Sequence, residues 1–514
     1  MSNNTKQALQ NYMNLKKRVV LDGSLIGILA GLFTIFYRLM LSCFDQLRGR
    51  LFQNAGPARI LLLILLFLGF SLIVALLIKW SPLSSGSGIP QIQGELLGSI
   101  DMDEKKVISA KFIGGGLCNL AGLSLGREGP SIQIGGACGK LLSRLLHKDS
   151  NEERFMISAG ASAGLSAAFN APISGTIFAL EEMHKNFSPL ILVPCLIASI
   201  VADYISKNIF GLDVSFHFIK LEESLPLKNY LHIIGIGIFS GLLGVCFNHM
   251  ILKGQDFYKR LPLPVLLKPA IPFMISIVLG FTLYDVLGGG HHLVEHIIDS
   301  PMSLQILLTL LIAKLLFTSL SYGSSAQGGI FLPVLVLGAL CGAVYVSFFE
   351  QIHLMDSVYL SNFVILGMAG FLTAVVRSPI LSIMLVTEMV GSFSHMLSFC
   401  LVAVTAYLIA ELLSCPPIYE SLLERLLSKP LHSADRPSAE EKTITSFLIH
   451  MHAEICGKRL KDIVFPEKVL IVSVKRASAE FIPNGESVLQ GGDEITVLCD
   501  KKNLLTVKDY FLHL

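Results

Sequence analysis

Residues 126–130 read Gly126-Arg127-Glu128-Gly129-Pro130 inside a strongly apolar stretch. An ionisable pair at membrane depth is costly, which marks it as a candidate functional site. The glycines and the proline interrupt regular backbone. N–H groups left free at a helix start attract anions, helped by the positive end of the helix dipole. A carboxylate held there competes with an anion for the same N–H groups, so the chemistry on offer is anion binding with a titratable gate. Two further breaks share this character: Gly86-Ser87-Gly88-Ile89-Pro90 and Gly329-Ile330-Phe331-Leu332-Pro333. Each joins small residues to a proline near a helix start and an apolar run. Ser87 offers a hydroxyl donor. Ile330 and Phe331 offer only main-chain N–H, so an anion there would be held by dipoles, weakly enough to be released.

The elements that must carry these breaks are membrane helices. The chain has 514 residues, 52% hydrophobic and 15% charged, against about one quarter charged for a soluble domain. Apolar stretches long enough to span recur at 25–41, 60–78, 231–247, 269–287, 304–320 and 399–413. With 44 glycines and 21 prolines, other apolar runs are short and interrupted. Irregular backbone cannot face lipid, so those runs are expected to be discontinuous helices packed inside protein. The fold class is a polytopic all-α membrane protein. A net charge of +2 gives no signal for nucleic acid. The ten cysteines show no paired spacing. Cys118, Cys138, Cys195, Cys246, Cys341 and Cys400 read as small buried residues. Lys16, Lys17 and Arg18 before the first span favour a cytoplasmic N-terminus, whereas Arg48, Arg50 and Arg59 after it argue the opposite way.

Residues 1–20 are polar and read as a short cytoplasmic surface helix. Residues 21–427 form the membrane block, 428–442 a solvated linker and 443–514 a small soluble domain. The block contains a repeat. Gly126-x3-Pro130-x4-Gly135-x2-Cys138-Gly139 matches Gly329-x3-Pro333-x4-Gly338-x2-Cys341-Gly342, at an offset of 203 residues (333 − 130). Ala171-Pro172-Ile173 with Glu181 matches Ser378-Pro379-Ile380 with Glu388, at an offset of 207 (379 − 172). Two copies, about 21–225 and 226–427, with matching helix breaks are the pattern of a transporter built from paired repeats, with its site where the broken helices meet. Spacing alone leaves open whether the copies are inverted or parallel.

The three breaks resemble the signature motifs of the CLC family of chloride channels and chloride/proton exchangers, over roughly residues 20–427. The likeness extends to Phe169-Asn170-Ala171-Pro172, to Glu181-Glu182-Met183 and to Ile418-Tyr419. It implies two inverted repeats of broken, tilted helices, an anion pathway in each subunit and a homodimer. By resemblance, Ser87, Tyr419 and the main-chain N–H groups of Ile330 and Phe331 hold the central chloride. Glu128 resembles the outer gating glutamate, which occupies an anion position when ionised and swings out carrying a proton when neutral. Glu182 lies where exchangers keep an inner proton-transfer glutamate. A proton crossing the membrane needs titratable groups near both faces, so the second glutamate favours an exchanger over a passive chloride channel, the alternative reading. A third reading makes the block a receiver for a ligand sensor. Arg127 reads as structural. Family members often have a proline where this chain has Gln327, a departure that touches the loop and not the anion-binding N–H groups. His291, His292 and His296 in a glycine-rich loop read as solvent-exposed, and no metal is expected. No enzymatic activity and no cofactor beyond transported chloride are expected.

The tail alternates apolar and polar residues at 468–475 and 494–498, as strands do, with turns at Pro483-Asn484-Gly485 and Gly491-Gly492-Asp493. Residues 464–499 resemble the TrkA C-terminal domain of potassium-conductance regulators. This implies a cytoplasmic α+β module that dimerises and binds a small ligand; a structural clamp without ligand is the alternative. The combined resemblance implies a prokaryotic plasma membrane, lipid contact, both termini cytoplasmic and no nucleic-acid partner.

Overall fold

The computed structural model describes residues 3–53, 56–212, 216, 225–300, 302–428, 442–449, 453, 455–463, 465, 469–476, 479–500, 507 and 510. They form two compact units, Met1–Ile92 with Glu104–Glu424, and Gln93–Asp103 with Arg425–Leu514.

The helical block of the chain, which holds the whole of the first unit, is twofold. Its first copy is α1 (Asn3–Phe52), α2 (Pro57–Trp80), α3 (Ile89–Leu96), α4 (Glu104–Leu120), α5 (Glu128–Leu145), α6 (Ser150–Phe169), α7 (Pro172–Ile177) and α8 (Pro189–Phe210). Its second is α9 (Tyr230–Arg260), α10 (Ala270–Thr282), α11 (His291–Asp299), α12 (Leu304–Gly323), α13 (Phe331–Gln351), α14 (Leu360–Val376), α15 (Pro379–Val390) and α16 (Met396–Leu412), followed by α17 (Ile418–Leu427). Eight of the described helices are long and apolar enough to cross a membrane. The chain is a multi-pass membrane protein of inverted repeats. Leu32, Phe36, Leu61 and Leu65 point outward from α1 and α2, which in a bilayer places them against hydrocarbon.

Glycines set how closely the helices approach. A Cβ on Gly135 would collide with the Gly160 carbonyl, and one on Gly160 with the Gly135 carbonyl. Gly338 and Gly367 repeat that relation between α13 and α14. Small residues four apart, as at Gly135 and Gly139, let two backbones meet where lipid gives no hydrophobic drive.

Two expectations are corrected. α1 runs unbroken through residue 20, so no helix boundary separates a surface segment from the first span. Cys246 is exposed on α9 and Cys400 half-buried, because apolar segments in a bilayer have an outward face. Cys118, Cys138, Cys195 and Cys341 are buried.

The second unit carries an antiparallel sheet, in order β1-β4-β2-β3, of β1 (Lys442–Leu448), β2 (Val469–Arg476), β3 (Ala479–Phe481) and β4 (Glu494–Asp500). Alternation on β2 and β4 marks both strands in sequence; β1 and the three-residue β3 carry too little pattern to be read. Val474, Leu489, Ile495, Val497 and Val507 fill its core. Gly492, at φ +88°, turns the chain into β4. Beside it, Asp493 accepts from Arg476 Nε at 2.8 Å and Nη2 at 2.7 Å, and from the Gln490 N–H at 2.8 Å. These donors, the guanidinium first, hold the Asp493 carboxyl below the usual carboxylate range. A depressed folded pKa contributes stability above the unfolded value of about 4, lost as pH falls through the folded value. Amide protection of β4 in the full-length protein is therefore expected to fall in acid below about pH 4. Asp493→Asn should flatten that acid limb, and an unchanged limb would assign it elsewhere.

Candidate functional site

The three breaks are held together by main chain. Gly126 N–H donates to the Gly329 carbonyl at 2.7 Å, and Gly329 N–H donates back to the Gly126 carbonyl at 2.8 Å. Repeat-equivalent residues thus bond each other reciprocally, as a local twofold axis requires. Gly328 N–H donates to the Gly86 carbonyl at 3.0 Å, tying in the first break. A Cβ on Gly129 would stand 2.9 Å from Ser87 Cβ, and one on Gly329 would stand 3.0 Å from Gly129 N. No side chain larger than hydrogen fits where these loops cross.

Around that crossing lie the starts of α3, α5 and α13. Ile89 and Pro90 open α3, Gly129 and Pro130 lie in the first turn of α5, and Pro333 lies in that of α13. First-turn N–H groups have no intrahelical partner, and proline has none to leave unsatisfied. Gly86 at φ +63° and Gly88 at φ +97° bracket Ser87, which is 1% exposed and accepts from the Ile89 N–H at 3.3 Å. Ile330 and Phe331 are fully buried, and the Phe331 ring packs 5.7 Å from Phe169. Tyr419, in the first turn of α17, is buried and its hydroxyl has no hydrogen-bond partner among the described residues. That hydroxyl lies within electrostatic reach of Tyr322, Glu182 and Glu128. Tyr322 in turn faces Ser87. An unsatisfied tyrosine hydroxyl, a serine hydroxyl and helix-start N–H groups form a donor set without a fixed cation, suited to a small anion.

Glu128 is fully buried, and neither carboxylate oxygen has a hydrogen-bond partner among the described residues. The main-chain N–H groups of Glu128 itself and of Leu332 act on the carboxylate without meeting hydrogen-bond geometry. Arg127 Nε stands 3.8 Å from Oε1, without a hydrogen bond. The carboxylate folds back over Gly126, where a Cβ would collide with Oε2. Gly126 and Arg127 also line a cavity of about 450 Å³, shared with Arg38, His291, His292 and Gln327.

Glu182 is 2% exposed and accepts from Ser378 Oγ at 2.7 Å. It lies in residues 178–184, which form a π-helix, a form frequent at functional sites. Its neighbour Glu181 points elsewhere, onto the N–H groups of Ile380 at 3.1 Å and Leu381 at 2.6 Å. The two adjacent glutamates therefore have separate surroundings, which spacing could not show.

Sequence reasoning missed the roles of four side chains, Lys111, Lys314, Tyr322 and Ser378. Lys111 is fully buried in α4 and its Nζ donates to the Gly86 carbonyl at 2.6 Å, holding the residue that precedes Ser87. Lys314 does the same in the second copy, to the carbonyls of Val286 at 2.8 Å and Gly288 at 2.7 Å. A signal existed, because Ala110-Lys111 and Ala313-Lys314 repeat at the offset of 203 (314 − 111). Tyr322 and Ser378 had no such signal. Gln327 is buried, donates to Ser84 Oγ at 3.0 Å and occupies the space left by the missing side chain of Gly114. Of the histidines, His291 stacks on Phe216 at 5.0 Å, while His292 and His296 are exposed. No group of three or more metal-ligating side chains occurs among the described residues.

Known proteins share both units. Residues 69–411 match the voltage gated chloride channel family and residues 444–512 the TrkA-C domain. The H(+)/Cl(-) exchange transporter ClcA of Citrobacter koseri is 32% identical over 442 residues, covering 83% of this chain and 92% of that protein. ClcA of Salmonella arizonae is 33% identical over 426 residues, covering 80% and 89%. Among solved structures, a slow cyanobacterial Cl-/H+ antiporter superposes with a TM-score of 0.76 at 30% identity, covering 80% of this chain and 98% of that one. A CLC-type fluoride/proton antiporter shares the fold, with a TM-score of 0.65 at 23% identity over 78% of this chain and 97% of that one.

Proposed function

The chain belongs to the voltage gated chloride channel family, and from that premise we propose that it is a secondary active chloride/proton antiporter. The observation that carries this reading is the pair of buried glutamates, Glu128 and Glu182, with the Tyr419 hydroxyl, which has no hydrogen-bond partner among the described residues, within electrostatic reach of both. A passive channel needs a gate; it has no use for a second buried carboxyl that exchanges protons.

Chloride is held by Ser87, by Tyr419 and by the main-chain N–H groups of Ile330 and Phe331. The loops Gly86, Gly88, Ile89 and Pro90, Gly126, Arg127, Gly129 and Pro130, and Gly329 and Pro333 shape that site. Ionised Glu128 competes with the anion for helix-start N–H groups. Protonated, it loses that attraction, leaves and carries its proton outward. A bound chloride favours the neutral carboxyl beside it by like-charge repulsion, which links the two fluxes. Glu182 exchanges protons with the inner solution.

The protein works as a homodimer in a prokaryotic plasma membrane with both termini in the cytoplasm and lipid around it. Residues 21–427 transport, 428–442 link, and 443–514 form a cytoplasmic regulatory domain that binds a small ligand. It acts as a transporter, without enzymatic chemistry or cofactor. These proposals rest on the relatives' names, the TrkA-C match and the site geometry.

The deciding experiment is proton movement into liposomes holding the purified protein, driven by a chloride gradient alone. Uphill proton movement is expected. Chloride flux without it would make the protein a channel.

A further inference from the structure

Two carboxylates outside the transport site cross the repeat axis in opposite directions. Glu181, from the segment following α7, caps the start of α15 through the N–H groups of Ile380 at 3.1 Å and Leu381 at 2.6 Å. Glu388, in α15, caps the start of α7 through the N–H groups of Ile173 at 3.0 Å and Ser174 at 2.7 Å, and through Ser174 Oγ at 2.5 Å. Glu181 and Glu388 are repeat equivalents, each nine residues after its proline (181 − 172 and 388 − 379). The capped helices start alike as well. Asn170 at φ +57° and Arg377 at φ +69° stand two residues before Pro172 and Pro379. Each copy therefore supplies the N-terminal cap of the other.

The copies differ beyond these two carboxylates. Gly391, three residues after Glu388, ends α15 in a left-handed turn at φ +76°. The matching turn in the first copy is Lys185 at φ +51°, four residues after Glu181. The extra residue is taken up by the π-helix of residues 178–184, which carries both Glu181 and Glu182. Glu182 Oε2 accepts from Ser378 Oγ, and Ser378 is the residue directly before α15. Anchoring α15 through Glu181 therefore also fixes Ser378 against Glu182.

We propose that Glu181 and Glu388 are positioning residues for proton transfer: a reciprocal clamp that holds the α7 and α15 starts together and sets Glu182 against Ser378. The proposal rests on the antiporter reading for its functional half, while its structural half stands apart from it. Neither residue need touch a transported ion. A carboxylate accepting two helix-start N–H groups restrains position along and around the helix axis, whereas a single bond would leave rotation. Displacement of a proton donor by about 1 Å is enough to slow transfer about a hundredfold.

The test is made on the full-length protein in liposomes and in detergent. Glu181→Ala is expected to reduce chloride-driven proton flux about tenfold more than chloride flux, raising the chloride-to-proton ratio. Glu181→Gln, which keeps one acceptor oxygen, should recover part of it. A merely structural defect would lower both fluxes together at constant ratio, and that result would overturn the functional half. Amide exchange reads the clamp directly. Glu181→Ala should speed exchange at Ile380 and Leu381 about tenfold, and Glu388→Ala at Ile173 and Ser174, each in the opposite copy. Unchanged exchange across the axis would overturn the clamp itself. If the wild type moved chloride without protons, the antiporter reading and the functional half would fall together, and the exchange result would still decide the clamp.

Discussion

Glu128→Gln is expected to reduce chloride-driven proton movement by at least about a hundredfold while chloride still crosses. Glutamine has the volume and the acceptor oxygen of a protonated glutamate, and cannot release a proton. The expectation follows from where the side chain sits. It is fully buried, neither oxygen is hydrogen-bonded among the described residues, and the nearest cation is Arg127 Nε at 3.8 Å. A buried charge so poorly satisfied is costly and ready to be neutralised or to move. The amide also removes a negative charge from the anion path, so chloride occupancy should rise in the variant, measurable as heat of chloride binding. Loss of both fluxes with folding intact would remove Glu128 from the gate and make it a structural partner of Arg127.

The second large effect is Glu182→Gln, expected to stop proton movement by at least about a hundredfold with chloride movement retained. Adjacent Glu181 offers an apparent substitute in sequence, and the structure removes it. Glu181 is engaged with two main-chain N–H groups of α15, whereas Glu182 accepts from Ser378 Oγ, which can follow a change in its protonation by rotating its hydroxyl. Proton uptake by Glu181→Gln liposomes separates the neighbours, since that variant should retain measurable coupling where Glu182→Gln has none. Unchanged coupling in Glu182→Gln would take this residue out of the proton path.

Much of this was legible in the chain. Glycine and proline fix where helices start and stop through local sterics, so Gly86-Ser87-Gly88-Ile89-Pro90, Gly126–Pro130 and Gly329–Pro333 identify helix starts without any tertiary information. The matching offsets identify two copies, and the apolar runs identify a bilayer as solvent. Strand alternation at residues 468–475 and 494–498 identifies two strands of the tail for the same local reason, formed as β2 and β4 over Val469–Arg476 and Glu494–Asp500.

Partnership across the repeat axis was not legible. The Gly126–Gly329 bond pair joins residues 203 positions apart (329 − 126), and the caps made by Glu181 and Glu388 join residues about as distant. Which of two adjacent glutamates faces Ser378 depends on one extra residue in a π-helix, and no propensity encodes that. Lys111 tethers a carbonyl it meets only because α4 runs behind the first break. Gln327 is accommodated because Gly114 leaves it room. Spacing along the chain thus determined the breaks, the copies and the candidate donors by local rules. Which donor faces which acceptor was decided by how two helical copies cross, because that depends on contacts between segments that sequence order does not place side by side.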